Sequence, residues 1–189
     1  MRNEQLRVEP LAPAAAADPA AMTALSDLVN EVYAVAEDGL WLGGARTGPA
    51  EMARLTRAGQ IVVARLGEKL AGCVRLQQLD DELGEFGMLA AAPAHRGTGV
   101  GRALVRFAEE HAGRPVMQLE LLVPREWSHP SKEFLAAWYG RLGYRLVRVG
   151  TVGETYPELA PLLATPCDFR IYRKELRNTV AGAVVDAGS

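Results

Sequence analysis

The sequence is poor in the residues that build disulfide-rich and metal-centred proteins. Two cysteines, Cys73 and Cys167, and three histidines occur in 189 residues, too few for a disulfide framework or a metal cluster. Both cysteines are expected to be reduced thiols in the core, and no metal is expected. Long apolar runs are also missing, since Pro13, Asp18 and Pro19 interrupt the alanine-rich stretch at residues 12–21. A cytoplasmic protein without a secretory signal or a membrane partner is therefore predicted.

An excess of charge of one sign is missing as well. Lys and Arg number 21 against 23 Asp and Glu, a formal net charge of -2, which argues against a nucleic-acid partner. Hydrophobic residues make up 49% and charged residues 23% of the chain, and this composition at this length predicts one domain with a sizeable core.

The most informative segment is GEFGMLAAAPAHRGTGVGRALVRFAEEHA, residues 84–112. Its apolar and small residues predict a buried strand that ends at Pro93, and its later apolar residues recur at helical spacing. Between them, the glycines of residues 96–101 remove the Cβ atoms that would keep a ligand from the backbone, so the N–H groups at the helix start can face a pyrophosphate. The spacing excludes a dinucleotide fingerprint and a P-loop, because the required Gly and Gly-Lys-Ser/Thr are absent.

The rest of the chain alternates strand and helix patterns, which predicts a mixed α/β fold. A helix capped by Asp18 is predicted to run to about Glu37, and a helix capped by Ser131 to end near Leu142. A shorter helix is predicted at residues 49–58. Further strands are predicted at residues 5–11, 61–66, 71–79, 115–123, 145–152 and 168–175.

The segment LAAAPAHRGTGVGRAL resembles the acetyl-CoA-binding motif of the GNAT superfamily of N-acetyltransferases. A second segment, FLAAWYGRLGYRLV at residues 134–147, is similar to a later helix of that family, whose tyrosine lies near the thioester sulfur. The resemblance spans residues 5–176 and leaves residues 177–189 as a flexible C-terminal tail. It implies a single α/β domain with a mixed, mostly antiparallel sheet of about seven strands flanked by about four helices.

The resemblance implies where acetyl-CoA, the co-substrate, is held. Backbone groups of the residues matching Leu89 and Ala91 would bind the pantetheine arm, and small Ala90 and Ala91 would let the thioester approach. The alternative for this strand is a crowded core. The pyrophosphate would be bound by the turn that comprises Arg96, Gly97, Thr98, Gly99, Val100, Gly101 and Arg102.

Two catalytic residues are predicted. Tyr139 would protonate the departing thiolate. The helical spacing places it at the edge of a buried stripe that comprises Phe134, Leu135, Trp138 and Leu142. The alternative is a core tyrosine with its hydroxyl at the surface. Glu85, four residues before Leu89, matches a general base of some family members. The alternative is a solvated turn acid beside residues 80–82.

The resemblance implies an N-acetyltransferase that moves acetyl to a primary amine by direct attack in a ternary complex. The acceptor would be a small-molecule amine or a peptide amine. The candidates to line its site are Tyr33, Trp41, His129, Tyr156 and Glu158. For His129, the alternative is a residue of a structural loop. Folding of the loop at residues 153–166 over the groove would favour a small amine. Lys132 replaces an asparagine that contacts the cofactor in many members. A homodimer is compatible with the resemblance, and a non-catalytic CoA-binding or sensing protein is the alternative function.

Overall fold

A computed structural model describes residues 5–176, so the tail predicted for residues 177–189 lies outside the described part of the chain. Among the described residues, no helix has the length and apolar character needed to cross a membrane. The strands are β1 (Leu6–Pro10), β2 (Ile61–Leu66), β3 (Lys69–Gln78), β4 (Leu83–Ala91), β5 (Val116–Pro124), β6 (Arg145–Gly150) and β7 (Cys167–Glu175). The helices are α1 (Pro19–Ala36), α2 (Pro49–Arg57), α3 (Val100–His111), α4 (Pro130–Arg141) and the short α5 (Val152–Thr155).

The seven strands form one mixed sheet in the order β1-β2-β3-β4-β5-β7-β6. All neighbours pair antiparallel except β4 and β5, which are parallel. The predicted mixed, mostly antiparallel sheet of about seven strands is confirmed, with five α-helices where about four were predicted.

Helix starts follow local chemistry. The carboxylate of Asp18 accepts N–H groups from Ala20 at 2.9 Å and Ala21 at 3.2 Å, and Pro19 occupies the first position of α1, as predicted. The prediction that Ser131 caps α4 is wrong, because α4 begins at Pro130 with His129 as its N-cap and without a side-chain cap. Proline suits the first helical position, where its missing N–H costs nothing.

Helices cover both faces of the sheet. One core cluster packs α3 and α4 residues against one face, and another packs α1 and α2 residues against the opposite face. The predicted stripe on α4 is wrong at Phe134, which is 61% exposed, whereas Tyr139 is buried. The buried face of α4 follows Lys132, Leu135 and Tyr139, and residue 134 points away from it because successive helical residues turn by about 100°.

The sheet opens between β4 and β5. Each strand has nine residues, but only the first three pair: Leu83 with Val116, Gly84 with Met117 and Glu85 with Gln118. Next to the opening, β4 carries a bulge in its pairing with β3, and Met88 has a φ of 52° there. Bulges bend a strand and concentrate near functional sites. The ends of β4 and β5 beyond these three pairs are unpaired and border a gap in the sheet.

Candidate active site

A turn rich in free amides lies at the end of β4. Gly97 and Gly99 have φ values of 80° and 86°, and a Cβ built on either meets no atom within 4 Å, so the backbone there is both left-handed and open. Within residues 5–176, no acceptor is bonded to the N–H groups of Gly97, Gly99, Val100, Gly101 and Arg102. Unbonded amides at the start of a 12-residue helix are groups of the kind that bind anions at helix N-termini.

The surroundings of this turn suit a pyrophosphate. Arg96, Arg102 and Arg106 are exposed beside it, and Arg106 pairs with Glu110 at 2.7 Å. An ideal Cβ on Gly101 would lie 3.7 Å from the Trp138 ring of α4, an ordinary van der Waals contact. The turn thus lies where α3 and α4 meet.

The free edge of β4 faces the gap. The N–H of Ala92 donates to Ala71 of β3 at 2.8 Å, and Ala90 pairs with Cys73 of the same strand. Successive residues of a strand direct their N–H groups to opposite edges. Leu89 and Ala91 therefore direct their N–H groups into the gap, where an extended chain can bind as an added strand.

Tyr139 reaches the gap from the α4 side. It is 6% exposed, and its ring packs against Trp138, Phe86 and Tyr144 at centroid distances of 5.1, 6.0 and 6.2 Å. Burial raises the pKa of Tyr139, and Tyr33, on α1 across the sheet, raises it further. The hydroxyl consequently stays protonated at physiological pH and is available as a donor.

Glu85 lies within the sheet instead of in the turn before it. It is 6% exposed, and its two carboxylate oxygens accept the amide groups of Gln77 at 2.8 Å and Gln118 at 2.9 Å. Those glutamines accept in turn from Arg75 at 2.6 Å and Arg173 at 2.9 Å. The alternative of a solvated turn acid is therefore wrong.

Glu120 is a second carboxylate at the gap, and the sequence analysis missed it. It lies on β5, two residues beyond Gln118, so it shares a face with Gln118 just past the last β4–β5 pair. The hydroxyl of Tyr156 donates to it at 2.9 Å. Burial, and then the charge of Glu85, raise the pKa of Glu120 to about 7. Polar residues alternating within the apolar run PVMQLELLV were the available signal.

Two loops close one side of this region. The loop after α1 meets the loop between α5 and β7, since the N–H of Leu42 donates to Leu162 at 2.8 Å and that of Ala164 to Leu40 at 2.9 Å. Trp41 bridges to Leu163. Beneath them a small apolar cluster comprises Leu40, Leu122, Val152, Cys167 and Phe169.

A buried ion pair joins α1 to α4. The Lys132 ammonium lies 3.1 Å from Glu37, and the two side chains are 3% and 11% exposed. Trp41 donates its indole N–H to the same carboxylate at 2.7 Å. Burial lowers the pKa of Lys132, and Glu37 opposes this shift. Lys132 and Trp41 therefore act structurally in this arrangement.

The remaining acceptor candidates lie at different depths. Tyr33 and Tyr156 are half-buried, and burial raises the pKa of Tyr33 to about 12. His129 is 6% exposed with its ring 5.4 Å from that of Trp127, and its Nδ1 has no hydrogen-bond partner among the described residues. Glu158 is exposed. Within residues 5–176, no group of three His, Cys, Asp or Glu is arranged to hold a metal ion.

Comparison with known proteins gives a consistent result. Residues 57–146 match the family model of the acetyltransferase (GNAT) domain. No curated protein matches the sequence. The structure is similar to that of yncA from Salmonella typhimurium, solved with its cofactor acetyl-CoA: the TM-score is 0.63 at 16% identity, over 95% of this chain and 99% of that one.

Two further structures share the fold. An aminoglycoside 6'-N-acetyltransferase complexed with coenzyme A has a TM-score of 0.67 at 14% identity, over 90% of this chain and 97% of that one. The ribosomal-protein-S18-alanine N-acetyltransferase of Escherichia coli has a TM-score of 0.61 at 14% identity, over 91% and 94% of the two chains. The described chain thus has the GNAT fold, and its residues 57–146 are similar to the acetyltransferase (GNAT) domain.

Proposed function

We propose that this protein is an N-acetyltransferase that transfers the acetyl group of acetyl-CoA to a primary amine by direct attack in a ternary complex. The observation that carries the proposal is the gap between β4 and β5. The amide-rich turn and Tyr139 lie on one face of the sheet, and Glu85, Glu120 and Tyr156 lie on the other. Two substrates entering from opposite faces would meet there.

The residues on the α3 side fit coenzyme A. The free amides of residues 97–102 suit its pyrophosphate, and the inward N–H groups of Leu89 and Ala91 suit the amides of its pantetheine arm. Acetyl-CoA, when bound, supplies an acetyl group activated as a thioester. The chain's contribution is to hold that group at the gap and to exclude other orientations.

Glu120 is the proton acceptor in this proposal. An alkyl ammonium titrates near ~10.4 and an ordinary glutamate near ~4.3, so a carboxylate with a pKa of about 7 is the better base of the two acids. Glu85, the predicted base, has both oxygens bonded to amides, and its charge helps to raise the pKa of Glu120. Glu85 would then assist through Glu120.

The proposed reaction balances as follows. The amine nitrogen forms a bond to the acetyl carbon while the carbon–sulfur bond breaks. Glu120 takes the proton that nitrogen loses, and Tyr139 gives its hydroxyl proton to the departing thiolate. Glu120 then releases its proton to solvent, Tyr139 regains a proton from solvent, and no covalent intermediate with the enzyme forms.

The test is thiol release from acetyl-CoA measured over a panel of primary amines and across pH. For an accepted amine, kcat/KM should fall as the pH drops below about 7, because Glu120 becomes protonated. Glu120→Gln should remove this fall at acidic pH and lower kcat by roughly 10²- to 10⁴-fold. Glu85→Gln should retain the fall but shift it to lower pH, because the charge of Glu85 no longer raises the pKa of Glu120.

Other outcomes separate the alternatives. An unchanged rate in Glu120→Gln would exclude this residue as the base. Tight CoA binding without thiol release for any amine would favour the CoA-binding or sensing alternative. Calorimetry that detects no CoA binding would exclude both functions.

A further inference from the structure

We infer that Arg46 selects the acceptor by binding a carboxylate carried on the same molecule as the reacting amine. This inference rests on the proposed function and names the substrate class of its acceptor site: small amino carboxylates, such as amino acids.

The Arg46 guanidinium is held in place without an anionic partner. Its central carbon lies 5.2 Å from the centroid of the Tyr33 ring, in cation–π geometry. No carboxylate within residues 5–176 forms an ion pair with it. A cation–π contact positions a guanidinium and leaves its N–H groups available for the bidentate binding of a carboxylate.

The backbone that carries Arg46 is fixed by the same helix. The amide side chain of Asn30 on α1 accepts the N–H of Thr47 and donates to its carbonyl, both at 3.0 Å. Thr47, adjacent to Arg46, is 6% exposed. Tyr33 lies one turn after Asn30, so α1 holds both the backbone and the guanidinium of this loop residue.

The charge of Arg46 acts on the groups around the gap. Burial raises the pKa of Glu120 and of Tyr33, and the charge of Arg46 opposes both rises; burial lowers the pKa of Lys132, and the charge of Arg46 lowers it further. Two arginines beside Glu85 and Gln118 already donate to glutamine side chains: Arg75 bonds Gln60 and Gln77, and Arg173 bonds Gln118.

These placements combine into a recognition site for a molecule with both charges. Glu120 would contact the amine end of the acceptor, and Arg46 would contact its carboxylate end. The loop contacts between residues 40–42 and 162–164 border this side, which favours a small acceptor over a peptide chain. A peptide amino terminus has an amide where the amino acid has its carboxylate, so the two classes differ at the group that Arg46 would bind.

The experiment compares each standard amino acid with its carboxamide as the acceptor, using thiol release and calorimetric binding in the presence of CoA. The wild-type protein should prefer the carboxylate of its best acceptor by at least about tenfold in kcat/KM. Arg46→Gln should abolish that preference through KM, with the KM for acetyl-CoA unchanged. Arg54→Gln, at an exposed arginine of α2, is the matched control.

Each result decides the inference. A carboxylate preference that persists in Arg46→Gln, or a wild-type protein that prefers carboxamides, overturns it. If no amine supports thiol release, the proposed function fails, but calorimetry still tests the site: Arg46-dependent binding of amino acids supports the inference, and binding independent of Arg46 overturns it.

Discussion

At the scale of single residues, the hydroxyl of Tyr139 and its ring are expected to have different roles, the first in catalysis and the second in packing. We predict that Tyr139→Phe lowers kcat by roughly 10²-fold or more while the affinity for acetyl-CoA changes little, because the ring contacts with Phe86, Trp138 and Tyr144 do not need the hydroxyl. Steady-state kinetics and calorimetry measure the two effects. Tyr144→Phe is the control, since that hydroxyl bonds Glu109 at 2.9 Å. An unchanged kcat in Tyr139→Phe would remove it as the acid.

The raised pKa of Glu120 also predicts how stability depends on pH. Between about 4.5 and about 7, the folded protein binds a proton on Glu120 that the unfolded chain releases, so this residue makes stability fall as the pH rises through that window. Glu120→Gln removes the effect and still accepts the Tyr156 hydroxyl. The melting temperature of Glu120→Gln minus that of the wild type should therefore be larger at pH 8 than at pH 4. Equal differences at both values would contradict the shift, and exposed Glu126→Gln serves as the control.

The two carboxylates show what residue patterns can predict. Glu85 is predicted as a base from its offset to Leu89, but the sequence alone leaves open whether it lies in the strand or in the turn before it. Its bonds to Gln77 and Gln118 could not be predicted, because the first depends on the register of β3 and β4 and the second joins β4 to β5, a strand distant in sequence. The importance of Glu120 depends on the point at which β4 and β5 diverge, which only the folded sheet defines.

At the scale of elements, the turn before α3 is the sharpest test of cofactor binding. Gly99→Glu should abolish calorimetric binding of CoA, because the side chain adds bulk and negative charge among the free amides. The matched control is Gly59→Glu, at another open glycine with a φ of 69°. Both variants carry a similar backbone cost of about 1–2 kcal/mol, so their melting temperatures should fall alike. Affinity within a few-fold of wild type in Gly99→Glu would exclude the turn as the site.

The packing of α3 on the sheet depends on Gly72 of β3. A Cβ there would lie 2.7 Å from the Ala90 carbonyl oxygen and 2.8 Å from Val100. Gly72→Ala should therefore destabilise the fold by about 1–3 kcal/mol and weaken CoA binding, because Val100 begins α3. Gly87→Ala, where a Cβ meets nothing within 4 Å, should not destabilise. Denaturant unfolding compares the two variants, and equal midpoints would contradict this account.

Elements were predicted well where their limits depend on local chemistry. Asp18–Pro19 and the hydrophobic run at residues 61–66 gave α1 and β2 closely because capping and strand patterns act over a few residues. The wrong cap at Ser131 and the wrong position of Phe134 both come from α4, whose rotation is set by contacts with the sheet. A helical wheel locates a stripe only when its pattern is strong, and α4 places a buried lysine in its core-facing row.

At the scale of the whole molecule, the Lys132–Glu37 pair connects helices on opposite faces of the sheet. Lys132→Met should destabilise the protein by about 3–5 kcal/mol, because it leaves the Glu37 carboxylate buried without its cation. The double variant Lys132→Met with Glu37→Gln should recover part of this loss, since no unpaired charge is then buried. Denaturant unfolding of the four proteins forms the cycle. A double variant less stable than Lys132→Met would contradict the explanation that the unpaired Glu37 carboxylate causes the loss of stability.

The global arrangement could be predicted only in part. The number of strands and the antiparallel pairing of β2, β3 and β4 could be predicted, because strand-like segments follow one another with short turns between them. The meeting of the loops around residues 40 and 163 and the salt bridge of Lys132 depend on segments far apart in the chain, and the contact of Arg46 with Tyr33 depends on the path of the loop after α1. These contacts shape the acceptor side, which is why the co-substrate turn was visible in the sequence and the acceptor site was not.

Because only three residue pairs connect β4 to β5, the sheet consists of two half-sheets with a short common seam. A bound pantetheine arm would supply backbone-like partners along the remainder of that seam, so the ligand would complete the tertiary structure as well as fill a site. Binding to the native state alone adds about 2.7 kcal/mol of stability at 100 times the Kd. The cellular level of coenzyme A would then help to set how long this protein resists unfolding and proteolysis.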